Sequence, residues 1–508
     1  MGVQIRTSYW SIANLKLSHM QKTSTTALVH TGVKTALKLI MDETKVNMDE
    51  IQGVFLGTTQ IANAIHQRHD LYRVGVIRVA GNNPHSLPSC YAWPDDLKKT
   101  VIDTVTIDGG FECHGDIITP INPAQIKSAI NKLLKMKMES LAVIGVFASI
   151  NPRQELLVRE IAHDMTKGEL PVSLSHQIGG TGFIERENST ILNASLKRVM
   201  TKVFKSLTSV CIDFGLTCPL WITQNNGSIL DLSQASEYPV LTISAGPTNS
   251  FIGGMKIAQL QNGIIIDVGG TSTDIGLLNN GIPRRCLNNS KIGGISLNFS
   301  MPDVHSIAMG GGSHVRIDKS SIEIGPQSCA NKFSTQAVSF GGKYLTLTDV
   351  ALALGYFEIP GAKIKNIELS HRGCKAVINE AVKKIYDLIS KFSPDELQLP
   401  IVLIGGGSSL FPKTLLDGRF IIPSYAHVAN AYGAALAEIS ATVDTVVSLD
   451  DRQNVLNHLQ EQAIQATIER GADFKSVKVV DVNIIPYHYM PNKLARVIIR
   501  ASGAQATK

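Results

Sequence analysis

The residues of this chain best suited to chemistry lie in Ile264–Gly276, read IIIDVGGTSTDIG. Three aliphatic residues in a row are the pattern of a buried strand, and that strand delivers Asp267 to its end. Gly269 and Gly270 follow, with no Cβ to hold phosphate oxygens away from the backbone. Thr271, Ser272 and Thr273 add hydroxyls, and Asp274 adds a second carboxylate. Backbone N–H groups in a glycine turn form a nest for an anion. A carboxylate beside the nest can hold Mg²⁺ against phosphates. A glycine hairpin with a solvated acidic tip would use the same residues, but the full D-x-G-G-T-x-T-D after a buried strand favours phosphate. Asp267 and Asp274 are then the candidate catalytic carboxylates, and Asp267 is the candidate metal ligand. Gly269, Gly270, Thr271 and Thr273 are candidates for holding a nucleotide.

Two more glycine clusters follow. One contains Gly311, Gly312 and Ser313, and the other is Gly405, Gly406 and Gly407 at the end of PIVLIGGG. A strand running into glycines lets backbone approach a nucleotide closely, and the last cluster could contact adenosine. Three such clusters, with an aspartate before the first, point to an ATP cleft with Mg. His66 and His69 have helical i,i+3 spacing but lack a third ligand, which favours a surface helix over a metal site. Cys113, His114 and Asp116 in CHGD, and Asp303 and His305 in MPDVH, read as loop residues. No Cys/His pair can be assigned as a catalytic dyad from sequence.

Alternating strands and helices must position these groups. A helix pattern covers 26–44, a strand 51–56, a strand 73–79, a helix 122–138, a strand 141–147 and a helix 151–165. That alternation argues for a doubly wound α/β arrangement. The RENS segment, with Asn188 or Ser189 as N-cap, would start a helix over 190–210. Arg186, Glu187 and Asn188 would then either cap that helix or face the active cleft. Gly215 reads as a helix C′ residue after Asp213. Strand 220–224, helix 346–355, helix 375–391, a buried strand 400–407 and helix 428–439 complete the second half. From about 444 the texture changes to helix 453–470 and strands 477–485 and 494–501, a small α+β region.

The chain has 508 residues, 44% hydrophobic and 18% charged, so it can bury a large core. Its +6 net charge is spread out, which leaves no nucleic-acid footprint. Seven cysteines without a C-x-x-C pair fit a reducing compartment. No signal-peptide core opens the chain, and no apolar run approaches the ~20 residues that span a bilayer. The expectation is a cytoplasmic protein with no membrane and no nucleic-acid partner.

The chain resembles the hydantoinase A/oxoprolinase family, especially its hydantoin-utilisation branch. The stretches that carry the resemblance are GTTQIANAI (57–65), SHQIGGTGFIERENSTILNASL (175–196), LWITQNNGS (220–228), SAGPTNS (244–250), DVGGTSTDIG (267–276), MPDVHSIAMGGGS (301–313) and LTLTDVALALG (345–355). They run in order over nearly the whole chain. The resemblance implies an actin-like ATPase fold of two RNase-H-like halves around an ATP cleft, with the small C-terminal α+β region added. The implied division is 1–185, 186–442 and 443–508. The implied activity is ATP-dependent hydrolysis of a cyclic amide such as a hydantoin or 5-oxoproline, through phosphorylation of the ring amide oxygen. A hydantoinase B-type or other partner subunit and an oligomeric state are implied as well.

One departure stands out. The family opens with its own D-x-G-G-T loop on the first strand, and here the first fifty residues hold only Gly2 and Gly32. Lys22 and Thr23 align just after the place of that hairpin. The chain is therefore expected to bind nucleotide weakly and turn over little by itself, and whether Met1 is the true start stays open. Three readings fit: a cyclic amidase or its A subunit, a non-catalytic relative that binds or regulates, and a small-molecule kinase on the same fold.

Overall fold

The computed structural model describes residues 29–44, 51, 53–58, 60–81, 87–286, 291–299, 301–318, 321–392, 395–487 and 494–506. The place of a first D-x-G-G-T loop, and Lys22 and Thr23 after it, lie outside these residues.

After α1 (Val29–Thr44), β1 (Val54–Leu56) and α2 (Gln60–Gln67), the chain builds a parallel sheet. Its strands are β2 (Val74–Val79), β3 (Val101–Ile107), β4 (Ser140–Gly145) and β5 (Val172–Leu174), in spatial order β3-β2-β4-β5. Every residue of β2 and β4 is buried, as in a parallel strand covered on both faces. The crossover helices are α3 (Pro123–Lys135) and α4 (Arg153–Thr166). Asn122 caps α3 by accepting the Ala124 N–H, and Ile126, Ala129, Ile130 and Leu133 form its buried stripe. β3 was not legible in sequence, because in VIDTVTI the charged and hydroxyl residues interrupt the apolar run.

The next helix corrects the sequence reading. α5 spans Phe183–Asp213, so Asn188 and Ser189 are interior, buried residues rather than caps. Gly182, at φ 105°, precedes the first turn instead. The reason is tertiary: Arg186, Glu187 and Asn188 each find a buried polar partner, and none of them faces solvent. Gly215 follows the helix end with φ +68°, as expected.

β6 (Leu220–Thr223) and β7 (Ser228–Asp231) form a hairpin beside β1, and α6 (Ala245–Ile257) follows. Then β8 (Gly263–Val268) and β9 (Thr273–Asn279) pair antiparallel. β10 (His305–Ile307) adds to the outer edge of β9, and β11 (Ser313–Asp318) with β12 (Ser321–Ser328) makes a separate hairpin. α7 (Leu347–Ala353) carries a capping box of Thr346 and Asp349. After α8 (His371–Ile389), β13 (Ile401–Ile404) pairs parallel with β8, and β14 (Phe420–Ile421) pairs parallel with β13. The sheet order β9-β8-β13-β14 puts the ends of β8 and β13 side by side.

α9 covers only Ala429–Ala435, and β15 begins at Glu438 where a continued helix was expected. Pairing of Ile439 with Ile229 of β7 overrides the helical pattern there. β15 (Glu438–Ser448), α10 (Arg452–Glu469), β16 (Lys478–Pro486) and β17 (Leu494–Gly503) complete the chain. Their strands continue the hairpin sheet in the order β1-β6-β7-β15-β17-β16. Helices α6 and α9 cross so tightly that a Cβ on Gly253 would overlap the Ala429 carbonyl, and one on Gly433 would overlap that of Asn249. No helix among the described residues is long and apolar enough to cross a membrane.

Candidate functional site

The three glycine segments, far apart in sequence, meet at one place. Asp267 is next to last in β8 and Asp274 second in β9, and the two are paired across the hairpin. The turn between them is closed by the Gly269 N–H, which donates to Ser272 O at 2.8 Å. Gly311 N–H donates to Gly269 O at 3.0 Å, and Gly312 N–H to Gly270 O at 2.7 Å. A Cβ on Gly310 would stand 2.7 Å from Gly269 O, so only glycine lets this segment lie against the turn. From the other side, Gly407 N–H donates to Val268 O at 2.8 Å. Gly405 has φ +90°, and a Cβ on it would overlap the Asp267 carboxylate.

This geometry divides the candidate residues into two groups. Gly311, Gly312, Ser313, Gly405 and Gly407 are buried. The N–H groups of Gly311, Gly312, Gly405 and Gly407 are committed to protein carbonyls, and Ser313 Oγ accepts from Gly310 N–H at 2.9 Å. Buried Thr273 is committed too, its Oγ1 donating to Met309 O at 2.6 Å. These residues brace the turn. Thr271 and Gly406 are exposed, and Asp267, Gly269, Gly270 and Asp274 are half-buried. Among the described residues, the Gly270, Thr271 and Ser272 N–H groups have no protein acceptor, so they are the donors left for an anion at the hairpin tip.

Burial pushes Asp274 up to about 6, with Asp267 adding to the rise and the Ser306 hydroxyl opposing it. Ser306 Oγ donates to Asp274 Oδ1 at 2.5 Å. A half-buried carboxyl held near neutrality, paired with a second carboxylate, can hold a proton or take part in binding a cation.

Sequence reasoning missed Ser306, because nothing in the sequence marks a serine 32 residues further on, set opposite Asp274 by the pairing of β10 with β9, as its partner. It also missed Thr348, which holds the Gly311 carbonyl through its N–H and its Oγ1, both at 2.8 Å. A Cys/His contact emerges beside the brace: Cys329 Sγ lies 3.5 Å from His314 Nε2, and Cys329 N–H donates to Gly312 O. Burial, and then the charge of Asp349, push this thiol up to about 11. It stays protonated and is a packing residue, not a nucleophile. His66, His69, His114 and Asp116 form no group of three or more metal-ligating side chains among the described residues.

A second polar cluster ties the parallel sheet to α5. Arg78 on β2 makes a two-pronged pair with Glu187, both contacts at 2.6 Å and both side chains buried. Glu155 accepts from Ser175 Oγ, Gly145 N–H and the His176 ring. Arg186 donates to Ser175 Oγ, Gly180 O and Gly145 O. Asn298 Nδ2 donates to Thr181 O and Gly182 O, which fastens the IGGTG loop to the second half. On the facing side, Asn249 Nδ2 donates to Thr223 Oγ1, and Asn430 Nδ2 to Gly246 O.

A hairpin that leads into a crossover helix and two parallel strands, with glycine turns from each meeting at an acidic tip, defines an actin-like ATPase-type fold. Solved structures agree. The ATP-dependent caprolactamase from Pseudomonas jessenii superimposes with a TM-score of 0.75 at 18% identity, covering 95% of this chain and 84% of that one. Nucleotide-free acetone carboxylase gives 0.66 at 16% identity, covering 94% and 83%. The chain belongs to the hydantoinase/oxoprolinase family: the profile of the family's N-terminal region matches residues 9–166, and the hydantoinase/oxoprolinase profile matches 186–360.

Among curated relatives, the caprolactamase subunit alpha of Pseudomonas jessenii is 28% identical over 403 residues, 72% of this chain and 57% of that protein. The acetophenone carboxylase gamma subunit of Aromatoleum aromaticum is 26% identical over 255 residues, 48% of this chain and 35% of that protein. The 5-oxoprolinase of Saccharomyces cerevisiae is 27% identical over 244 residues, 47% of this chain and 18% of that protein. The chain spans less than two-thirds of the length of each of these relatives.

Proposed function

We propose that this chain binds Mg-ATP at the Asp267–Asp274 hairpin and serves in ATP-dependent opening of a cyclic amide, in company with a partner subunit. The observation that carries the reading is the convergence of three glycine segments on one turn whose tip keeps the N–H groups of Gly270, Thr271 and Ser272 free between two carboxylates. The relatives named caprolactamase and 5-oxoprolinase support the substrate class, and two relatives are named as subunits.

When bound, ATP would supply a phosphoryl group to the ring amide oxygen, which makes the ring carbon electrophilic. The residues of this chain have simpler tasks. Gly270 and Thr271 would donate their N–H groups to phosphate oxygens, with no side chain between. Asp267, at the strand end, would hold the cation, in the manner of a hard oxygen ligand. Asp274 would share that field, and the Ser306 hydroxyl fixes the orientation of its carboxyl. Exposed Gly406, on the turn that Gly405 and Gly407 anchor, would lie by the nucleoside. Preorganised donors of this kind stabilise developing charge because they need no rearrangement during reaction.

The test is direct. Purified protein, alone and with candidate partner subunits, is titrated with Mg-ATP and assayed for phosphate release with hydantoin, 5-oxoproline and caprolactam. Mg-dependent ATP binding and release stimulated by one lactam support the reading. Absence of ATP binding under all conditions sinks it.

A further inference from the structure

The segment after β14 holds one residue in an unusual conformation. Tyr425 has φ +99° and ψ 20°. Among the described residues, the other non-glycine positions with positive φ lie between 46° and 61°, near the left-handed well that such residues occasionally use. Tyr425 alone lies well outside it, at an angle that suits glycine and strains a bulky aromatic residue. The backbone is fixed on either side. Ala426 N–H donates to Pro423 O at 3.1 Å and Val428 N–H to Tyr425 O at 3.0 Å, and Ala426 and Val428 are buried. The side chain is not fixed. It is 45% exposed, and among the described residues its ring and phenol have no hydrogen bond or ring contact. Packing therefore does not explain why a tyrosine, rather than a glycine, holds this place.

Its position does. β8, β13 and β14 are consecutive parallel neighbours in one sheet. The segments that leave their C-terminal ends lie side by side, at the end where such sheets take their ligands. β8 leads into the hairpin tip, β13 into Gly405–Gly407, and β14 into the segment that carries Tyr425 four residues on. The last two are joined directly, because Gly405 N–H donates to Ala426 O at 3.0 Å. Tyr425 is one residue from that bond, and exposed Gly406 is one residue from its other end. Two strand spacings, about 10 Å, separate β8 from β14. A nucleoside triphosphate whose phosphates sit on the free N–H groups of the hairpin tip spans that distance and brings its base to Tyr425. Every base has a π-face, and an exposed aromatic ring with no other partner is a surface on which such a face stacks.

We propose that Tyr425 is the platform on which the base of the bound nucleotide stacks, and that the strained backbone is kept because it presents the ring at the Gly406 turn. The inference rests on the nucleotide reading above. It adds the residue that tells a nucleotide from an inorganic triphosphate.

Wild type, Tyr425→Phe and Tyr425→Gly are each titrated calorimetrically with Mg-ATP and with Mg-tripolyphosphate. Tyr425→Phe keeps the ring and should bind both as wild type does. Tyr425→Gly should stay folded, since glycine takes φ +99° without strain. It should bind Mg-ATP roughly 5- to 100-fold more weakly, the range for removal of a stacked aromatic ring, with Mg-tripolyphosphate unchanged. A second measurement needs no glycine variant. In protein labelled with fluorotyrosine, the fluorine signal of Tyr425, assigned by its loss in Tyr425→Phe, should shift with Mg-ATP and stay in place with Mg-tripolyphosphate. Equal ATP affinity in Tyr425→Gly and wild type, an equal loss for ATP and tripolyphosphate, or a fluorine signal indifferent to ATP each overturns the inference and leaves nucleotide binding standing. Failure of wild type to bind Mg-ATP overturns the nucleotide reading, and this inference with it.

Discussion

Replacing Asp274 with asparagine gives the sharpest quantitative test of the hairpin. The side chain keeps its shape and still offers Oδ1 to the Ser306 hydroxyl, but it can no longer ionise. The wild-type carboxyl titrates at 3.8 in the unfolded chain and at about 6 when folded, raised by burial and then by Asp267. Below the unfolded value both states are protonated, and no penalty exists. Between the two values only the unfolded state ionises, so wild-type stability falls as pH rises. Above the folded value the penalty is complete. Two units at about 1.4 kcal/mol each give roughly 3 kcal/mol, and solvent at a half-buried site reduces this to about 2 kcal/mol. Urea denaturation in EDTA, followed by tryptophan fluorescence, should show Asp274→Asn matching wild type near pH 3. It should become about 2 kcal/mol more stable by pH 8. On the functional proposal the same variant loses Mg-dependent nucleotide affinity, so stability and binding move in opposite directions. A stability gap that does not change with pH, or a variant less stable than wild type at pH 8, would refute the electrostatic argument.

Three further outcomes follow from other parts of the molecule. Asp267→Asn should weaken Mg-dependent nucleotide binding by about 1–3 kcal/mol, the scale of a lost charge-assisted contact; calorimetric titrations that superimpose with wild type would contradict this. Gly433→Ala drives a Cβ into the Asn249 carbonyl across the α6–α9 crossing, so a loss of about 1–3 kcal/mol is expected from overpacking, read as a lower urea midpoint. Arg78→Met leaves the Glu187 carboxylate buried without its cation and should cost about 3–5 kcal/mol, whereas adding Glu187→Met should recover much of it; equal midpoints for the single and double variants would argue against a specific pair.

How far the sequence could be read depended on whether a signal was local. The IIID run and the helical patterns over 122–138 and 346–355 announce themselves within a few residues, and the hairpin, α3 and α7 formed within those bounds. The glycine clusters were legible as backbone that approaches something closely, but what they approach was not. Gly310 and Gly405 make room for the hairpin itself, a pairing across stretches distant in sequence. Long-range pairing also explains the misplaced start of α5. RENS has the composition of a solvated cap, and only the buried Glu155, Arg78 and Trp93 around it turn the same residues into helix interior. In the same way Ile439 left a helical pattern for β15, because Ile229 of β7 offered an open strand edge.

That edge has a consequence for how the molecule is made. β7 ends at Asp231, and its neighbour β15 starts only at Glu438. The outer partners of β15 come later still, since β17 ends at Gly503. At roughly 5–20 residues per second of synthesis, the nascent β1-β6-β7 ribbon waits on the order of ten seconds or more with one side unpaired. Distant pairings of this kind also slow refolding, because loop closure must precede the contacts that reward it. Chaperone dependence during expression, and aggregation of fragments truncated between β7 and β15, should therefore be the characteristic failures of this chain.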